Sequence, residues 1–376
     1  MYHLLLTACL LAEPQECEPR LLPAATATTQ ADCLIRAERI APDWLARHPG
    51  LSGQSLECVP TASLPALEPQ EIAREVYLHR GPAEQISPQN GGRIANLSFV
   101  IGDTVAVIDA GASRAEGEAL FAAIRNVTDK PISHLILTHM HPDHIFGAEV
   151  FAEAGATLVA HHRLPDAVGL RAASWMGSIP LQTGTGAMAG THIAPIDLPI
   201  EGPTRIDIGG RSLWLTPHGT AHTDNDLTAF DEGARVLFTG DLIFQGLTPS
   251  IDGSLLGWLD WIDAGPGHSL PDLSLPGAAP GKGGRNRNNA AGDAPALIVP
   301  GHGPALSDWD DSIGPLRAYL AALRDETRRQ IMSGAALSQA APAIVRALQP
   351  QAADWADFDA ITARNAATAF SELEWE

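Results

Sequence analysis

Three histidines and an aspartate lie within six residues of one another in the segment THMHPDH, residues 138–144. The segment directly follows ISHLIL, an apolar run that is typical of a buried strand. Imidazole and carboxylate groups placed behind such a strand are unfavourable unless a partner uses their lone pairs. Neutral imidazole together with carboxylate suits zinc, and less specifically iron or manganese. The segment therefore predicts a metal site at the end of a strand.

The spacing inside this segment separates two pairs of candidate ligands. His139 and His141 are two residues apart, which places both side chains on one side of an extended chain. Asp143 and His144 follow Pro142, which bends the chain and turns them toward a neighbouring position. Two pairs of ligands can therefore point at two adjacent ions.

Three more candidate ligands lie where other apolar segments end. They are His222 in GTAHTDND, Asp241 in VLFTGDLIF and His302 in IVPGHGP. An aspartate accompanied by five histidines is well suited to bridge two metal ions. These residues extend the predicted site to a dinuclear one.

The elements that must position these residues follow a layered pattern. Strand-like segments EVYLH, IANLSFVI, TVAVIDAG and ISHLILTH alternate with helical segments SRAEGEALFAAIRNV and GAEVFAEAG, which indicates an α/β fold. From about residue 203, TRIDIGGRSLWLTPH and DLTAFDEGARVLFTGD read as hairpins. A Gly-, Pro- and Asn-rich stretch at 265–294 predicts a flexible insertion. Helical patterns from residue 313 predict a helical C-terminal tail.

The motifs, in this order along the chain, resemble a known family. Asp109 in VIDAG, THMHPDH with the form HxHxDH, and then His222, Asp241 and His302 resemble the metallo-β-lactamase-fold hydrolases over roughly residues 72–310. The resemblance implies a four-layer αβ/βα sandwich with a two-metal site at the edge between its two sheets. NGGRIANLSFVIGDTVAVIDAG and PSIDGSLLGWLDWID further resemble the zinc metallohydrolases of quinoprotein relay systems.

Carried over position by position, the resemblance implies a role for each candidate. The first zinc ion would be held by His139, His141 and His222, the second by Asp143, His144 and His302, and both by the bridging Asp241. Asp109 would orient a ligand histidine from behind. Asp143 would also orient the attacking water or accept its proton. These two aspartates are the candidate catalytic residues.

Such a site predicts a hydrolase. Two divalent ions about 3.5 to 4 Å apart lower the pKa of bound water toward about 7, so that metal-bound hydroxide can attack a small ester, thioester, lactone or amide. A β-lactam hydrolase is one alternative, although Asp241 at the bridging position argues against it. A mononuclear iron oxygenase that handles sulfur compounds, or a non-catalytic module of a redox relay, is the other. The number and identity of bound ions would discriminate among them.

Charge and hydropathy limit the partners. The chain of 376 residues has 24 Lys and Arg against 44 Asp and Glu, a formal net charge of −20. This charge repels nucleic acid and anionic membrane surfaces. No run of eighteen apolar residues is present after the opening segment, so a transmembrane segment is not expected. A small-molecule substrate fits this composition.

The first 65 residues predict a separate small domain, followed by the hydrolase domain over 66–376. All four cysteines lie in the first 58 residues, which suits two disulfides in an oxidising compartment, with three possible connectivities. HLLLTACLLA and CEPRLLP read as a hairpin across which Cys9 and Cys17 would face each other. MYHLLLTACLLAE lacks the basic start of a signal peptide, yet the cysteines leave a periplasmic location open. This domain would stabilise the chain or contact an unknown protein.

Other candidate side chains receive less specific interpretations. His161 and His162 are interpreted as structural or surface residues, and His218 as a residue behind the ligands or incidental to the site. His268 lies in the predicted flexible insertion, which favours a solvated side chain. Trp258 and Trp261, three residues apart, are more typical of core packing than of a lip for an apolar substrate.

Overall fold

The computed structural model describes residues 1–271 and 294–376, and its first four elements form an N-terminal unit. These are β1 (Tyr2–Leu10), β2 (Cys17–Ala27), α1 (Gln30–Arg47) and β3 (Leu51–Pro60). The strands form an antiparallel sheet in the order β2-β1-β3. Disulfides join Cys9 to Cys17 across β1 and β2, and Cys33 of α1 to Cys58 of β3. The predicted hairpin is confirmed, whereas α1 and β3 are not predicted from the sequence.

A seven-stranded sheet carries the first half of the remaining chain. Its order is β10-β9-β8-β7-β6-β5-β4. The strands are β4 (Gln70–Ala73), β5 (Val76–His79), β6 (Leu97–Ile101), β7 (Val105–Ile108), β8 (Ile132–Leu137), β9 (Thr157–His161) and β10 (Leu198–Ile200). Strands β7 to β10 are parallel, so the segments that follow their carboxyl ends meet at one edge of the sheet.

A five-stranded sheet carries the second half, in the order β11-β12-β13-β14-β15. Its strands are β11 (Thr204–Asp207), β12 (Ser212–Pro217), β13 (Leu227–Asp231), β14 (Val236–Phe244) and β15 (Leu297–His302). The helices are α2 (Arg114–Val127), α3 (Pro142–Ile145), α4 (Ala148–Glu153), α5 (Leu164–Thr183), α6 (Leu255–Ala264), α7 (Trp309–Met332), α8 (Leu337–Leu348) and α9 (Phe358–Leu373). Both predicted hairpins are present in this sheet.

Three apolar cores separate four layers. In β7, Val105 and Val107 face helices α2, α4 and α5, while Ala106 and Ile108 face the five-stranded sheet, as the two-residue repeat of a strand requires. The outer side of the five-stranded sheet packs on α6 to α9. The order helices, sheet, sheet, helices is the predicted αβ/βα sandwich. The alternation of strands and helices in the sequence reflects this layering.

The N-terminal unit packs on the outer helices through Arg114, at the start of α2. This guanidinium is fully buried and donates to Glu118, Glu149 and Glu153 at 2.7 to 2.9 Å. It also donates to the carbonyl of Leu21 in β2 and lies 4.8 Å from the ring centroid of Trp44 in α1. A buried cation is therefore satisfied by groups from both parts of the chain. The predicted boundary near residue 66 lies between β3 and β4, and the division into domains stays a prediction.

One part of the predicted flexible insertion is ordered. Pro266–Ser269 form a turn of 3₁₀ helix, and the His268 ring packs at 5.4 Å from Trp261 and 5.2 Å from His218. The expectation that His268 is solvated is therefore wrong, because the turn folds back onto aromatic side chains. Residues 272–293 lie outside the described part of the chain. Among residues 1–271 and 294–376, none of the helices is long and apolar enough to cross a membrane.

Candidate metal centre

All seven predicted ligands meet at one edge between the two sheets, where strands end. His139 and His141 follow β8, and Asp143 and His144 lie in the short helix α3. From the second sheet, His222 follows β12, Asp241 lies within β14, and His302 is the last residue of β15. Strands from both sheets thus direct their polar ends to one place. The sequence prediction that these residues converge is consistent with this placement.

The first group consists of His139, His141, His222 and Asp241. Nδ1 of His141 lies 3.0 Å from Nε2 of both His139 and His222. Oδ2 of Asp241 lies 3.6 Å from Nε2 of His139 and 3.4 Å from Nε2 of His222. Ligand atoms about 2.0 to 2.1 Å from a tetrahedral zinc ion lie roughly 3.3 Å apart. The edges of this group therefore fit a tetrahedral ion.

The second group consists of Asp143, His144 and His302, and it shares Asp241 with the first. Oδ2 of Asp143 lies 3.6 Å from Nε2 of His144 and 3.5 Å from Nε2 of His302. Oδ1 of Asp241 lies 3.2 Å from His144 Nε2, and Oδ2 lies 3.4 Å from His302 Nε2. One carboxylate therefore faces both groups, as a bridging ligand would.

Hydrogen bonds at the opposite ring nitrogen fix the tautomer of the two histidines from the second sheet. Nδ1 of His222 donates to the carbonyl of Ser250 at 2.7 Å, and Nδ1 of His302 donates to the carbonyl of Ile94 at 3.1 Å. A carbonyl can only accept, so the proton of each neutral ring is on Nδ1. The free lone pair is then on Nε2, which is the atom that faces Asp241.

Asp109 fixes His144 in the same way and His139 indirectly. Oδ2 of Asp109 accepts from Nδ1 of His144 and from the Thr138 hydroxyl, both at 2.8 Å, while Oδ1 accepts from the Thr138 backbone N–H. Since its proton goes to Asp109, the Thr138 hydroxyl accepts from Nδ1 of His139 at 3.1 Å. The predicted role of Asp109 in orienting a histidine matches these contacts.

His141 has the reverse arrangement, with a partner that is not predicted from the sequence. Its Nε2 lies 3.3 Å from Oδ2 of Asp252, and its Nδ1 faces the first group. Oδ1 of Asp252 lies 3.5 Å from the guanidinium of Arg171 in α5. Asp252 follows a proline in a segment without regular structure, and only its place in PSIDGSLLG beside the resemblance motif could have indicated it.

Two glycines leave the space that the site requires. A Cβ atom at Gly240 would lie 2.6 Å from the side chain of Thr138, and one at Gly301 would overlap Oδ1 of Asp241. Asp109 itself has a φ angle of +59°, a strained backbone conformation for a residue other than glycine. Backbone approach and strain are thus concentrated around the candidate ligands.

The electrostatic environment favours a cation. Burial lowers the pKa of His139 well below its usual value and that of His222 to about 3, which keeps both rings neutral. Burial also opposes charge on His144, but the carboxylates of Asp241, Asp143 and Asp109 outweigh it and raise the pKa of this ring well above its usual value. Metal ligands must be free of protons, and carboxylates attract positive charge. The first group supplies neutral lone pairs and the second supplies negative charge.

Two buried atoms at the centre lack any other partner. His144 Nε2 and Asp241 Oδ1 are inaccessible to solvent, and neither makes a hydrogen bond within the described residues. Buried polar atoms of this kind usually have a partner. A metal ion between these atoms would satisfy both, so the residues present fit a metal.

The remaining predicted side chains lie beside the site without joining either group. Trp258 and Trp261 are buried in the core, with the Trp258 ring 5.2 Å from that of His222. His218 binds the Thr228 hydroxyl, and His161 lies 3.3 Å from the His218 carbonyl. The interpretations of these residues as packing or supporting side chains agree with these contacts.

Comparison with known proteins identifies the family. The sequence profile of the metallo-beta-lactamase superfamily matches residues 90–307, which is more than half of the chain. The chain belongs to the metallo-β-lactamase superfamily. The resemblance seen in the motifs is thereby confirmed at this level, and the finer resemblance to quinoprotein relay proteins stays a prediction.

Solved structures in the superfamily share the fold. A beta-lactamase domain protein from Burkholderia ambifaria has a TM-score of 0.56 at 20% identity, covering 83% of this chain and 89% of that protein. The stereoselective inverting sec-alkylsulfatase Pisa1 from Pseudomonas sp. has a TM-score of 0.54 at 18% identity, covering 82% of this chain and 50% of that one. The fold of this superfamily member therefore extends over most of its length.

One curated relative matches over a short segment. The linear primary-alkylsulfatase of Pseudomonas sp. (strain ATCC 19151) is 40% identical over 45 residues, which are 12% of this chain and 8% of that protein. The match spans a small fraction of the relative's length, so its activity does not transfer to this superfamily member as a finding.

Proposed function

We propose that this protein is a dinuclear zinc-dependent hydrolase of small carbonyl compounds such as esters, thioesters, lactones or amides. The observation that carries the proposal is the sharing of one buried carboxylate, Asp241, between two groups of ligand atoms. Each histidine in these groups has its second nitrogen occupied, so its free lone pair points to the proposed ions. A group of histidines that only stabilised the fold would not need this uniform orientation.

The proposed ligands follow from the two groups. The first ion would be held by His139, His141 and His222, the second by Asp143, His144 and His302, and Asp241 would contact both. When bound, the ions would act as Lewis acids that make a water nucleophilic near neutral pH and polarise the substrate. Iron or manganese would also accept these ligands, although with less specificity.

The protein's own groups would orient water and substrate. The Asp143 side chain is 14% exposed, whereas those of Asp241 and His144 are 4% and 0% exposed, so Asp143 is more accessible from solvent than these neighbours. Its carboxylate can accept a proton from water or hold the water in place. Asp109 contacts no solvent and acts through Thr138 and His144, which makes it a positioning residue.

Sulfate-ester hydrolysis is a second candidate. Two of the similar proteins are named as alkylsulfatases, one by a local sequence match and one by fold. Hydrolysis of β-lactams and iron-dependent oxidation of sulfur compounds are further outcomes that the same test distinguishes.

Elemental analysis of freshly purified protein, paired with a substrate screen, tests the proposal. We expect about two zinc ions per chain, a sharp decrease in Asp241→Ala, and hydrolysis of at least one ester, thioester or lactone that is lost in that variant. Asp231→Ala serves as a control because it removes another fully buried carboxylate, from β13, outside both groups. A single iron per chain, unaffected by Asp241→Ala, would contradict the proposal and direct testing to sulfur oxidation. Activity restricted to alkyl sulfates or β-lactams would replace the carbonyl substrate.

We also propose that residues 1–65 form a small stabilising domain in an oxidising compartment, with residues 66–376 as the hydrolase domain. The N-terminal unit has its own apolar cluster, which includes Leu4, Leu22 and Trp44, and both disulfides lie within it. Such bonds persist mainly outside the reducing cytosol. A count of four free thiols in folded protein from an oxidising compartment would contradict this proposal.

A further inference from the structure

The C-terminal helix α9 lies beyond residues 90–307, yet it contacts a segment that supports the first group of ligands. This supporting loop, residues 249–254, has no helix or strand of its own. It supplies the Ser250 carbonyl that fixes His222 and the Asp252 carboxylate that contacts His141. The position of two of the three histidines in the first group therefore depends on this loop.

Asn365 of α9 is fully buried and holds the supporting loop by its backbone. Its Oδ1 accepts from the N–H of Ile251 at 3.0 Å, and its Nδ2 donates to the carbonyl of Pro249 at 2.6 Å. The same Nδ2 donates to the Tyr319 hydroxyl of α7 at 2.9 Å. The two loop contacts lie on either side of Ser250, so the amide fixes the carbonyl that orients His222.

Glu372, two turns further along α9, holds the other end of the supporting loop. Its carboxylate accepts from the Ser254 hydroxyl at 2.6 Å and from the backbone N–H of Leu255 at 2.7 Å. These groups form the start of α6, immediately after Asp252 and Gly253. A negative side chain at a helix start is favourable. The two contacts of α9 therefore enclose the loop that carries both histidine partners.

We infer that α9 positions the first metal group, with Asn365 and Glu372 as positioning residues that act through the supporting loop. The inference rests on the proposed two-ion site. A loop without regular structure is mobile unless its backbone is held, and the orientation of a ligand histidine depends on the group behind it. The second group has no such dependence, because its histidines are oriented by Asp109 and Ile94, which lie elsewhere in the chain. Loss of the α9 contacts should therefore weaken only one of the two ions.

Zinc affinity, measured by competition with a chromophoric chelator, tests this inference. For Asn365→Leu we expect one of the two ions to bind at least about 5-fold more weakly, less than the 10- to 100-fold typical of losing a direct partner. The other ion should bind as in the unaltered protein. Thr362→Val is the matched control, because Thr362 is equally buried in α9 and contacts the Tyr319 hydroxyl and not the loop.

Two background variants assign the effect to a site. In a His141→Ala background the first group is already broken, so adding Asn365→Leu should not change the affinity for the remaining ion. In an Asp143→Ala background the first group is intact, so the same substitution should weaken the remaining ion. Glu372→Ala gives the same test with a partly exposed side chain if Asn365→Leu does not fold.

The outcomes separate this inference from the proposed function. Equal weakening of both ions, no weakening, or an effect that persists in the His141→Ala background would overturn the inference while leaving a two-ion site in place. Fewer than two ions in the unaltered protein would instead overturn the proposed function. Selective weakening in Asn365→Leu or Glu372→Ala, absent in Thr362→Val, supports the inference.

Discussion

Two buried clusters of ionisable side chains lie on the same helices but are satisfied in opposite ways. Around Arg114, each donor of a single cation meets a carboxylate or carbonyl, including Glu118 and Glu149. Around Asp241, lone pairs of imidazole and carboxylate face one another, and two buried atoms have no hydrogen bond within the described residues. A cluster in which donors meet acceptors is complete, whereas one in which acceptors converge requires a cation from outside. This difference separates a structural cluster from a ligand site.

The largest expected effect comes from breaking the Arg114 cluster. Arg114→Met leaves three glutamates near one another with no cation between them, and removing one partner of a buried charge pair costs about 3 to 5 kcal/mol. We expect urea unfolding to show a loss of free energy of unfolding of this size. The zinc content of the folded protein should stay unchanged. A decrease in zinc content without loss of stability would contradict the comparison.

The disulfides sharpen the comparison, because the N-terminal unit contributes Trp44 and Leu21 to the Arg114 cluster. In the chain-entropy estimate, the 25-residue separation of Cys33 and Cys58 is worth about 3.5 kcal/mol, and the 8-residue separation of Cys9 and Cys17 about 2.5 kcal/mol. We expect the Cys33→Ser/Cys58→Ser variant to unfold at lower urea concentration than Cys9→Ser/Cys17→Ser. The reverse order would show that the loops do not dominate.

Removing the carboxylate behind His144 should have the opposite signature. Asp109→Asn retains the size of the side chain but loses the charge that orients His144, so we expect zinc affinity to fall about 10- to 100-fold. The free energy of unfolding measured without zinc should change much less than in Arg114→Met. If Asp109→Asn instead destabilises the fold as much as Arg114→Met and retains full affinity, Asp109 serves the fold and not the ligands.

The smallest effect concerns pH and the N-terminal unit. Burial lowers the pKa of His3, whose ring lies between the hydroxyls of Thr26 and Thr61, to about 4. The unfolded chain takes up this proton near pH 6.5, so the free energy of unfolding should fall as pH drops from 6.5 to 4, by up to about 2 kcal/mol. His3→Gln should show a shallower pH dependence in this window. Identical slopes for both proteins would rule out His3 as the cause.

The ligand set could be predicted from the sequence because each ligand directly follows or ends an apolar strand and four of the seven are adjacent. The partners behind the ligands could not be predicted in the same way. Asp252 is 111 residues from His141, and Asn365 lies in a helix whose apolar pattern records only packing. His268 was misassigned because a short turn rich in Gly and Pro resembles a flexible segment, although its ring packs on Trp261. Local patterns indicate where strands end, whereas contacts between distant loops depend on how the layers stack.

Anomalous X-ray diffraction at the zinc absorption edge, from crystals of protein purified without added metal, tests the central claim most directly. The account predicts two peaks about 3.5 to 4 Å apart, with the Asp241 carboxylate between them. The peak on one side should contact His139, His141 and His222, and the peak on the other side Asp143, His144 and His302. A single peak, or two peaks that Asp241 does not contact, would contradict the claim that this carboxylate joins two metal ions.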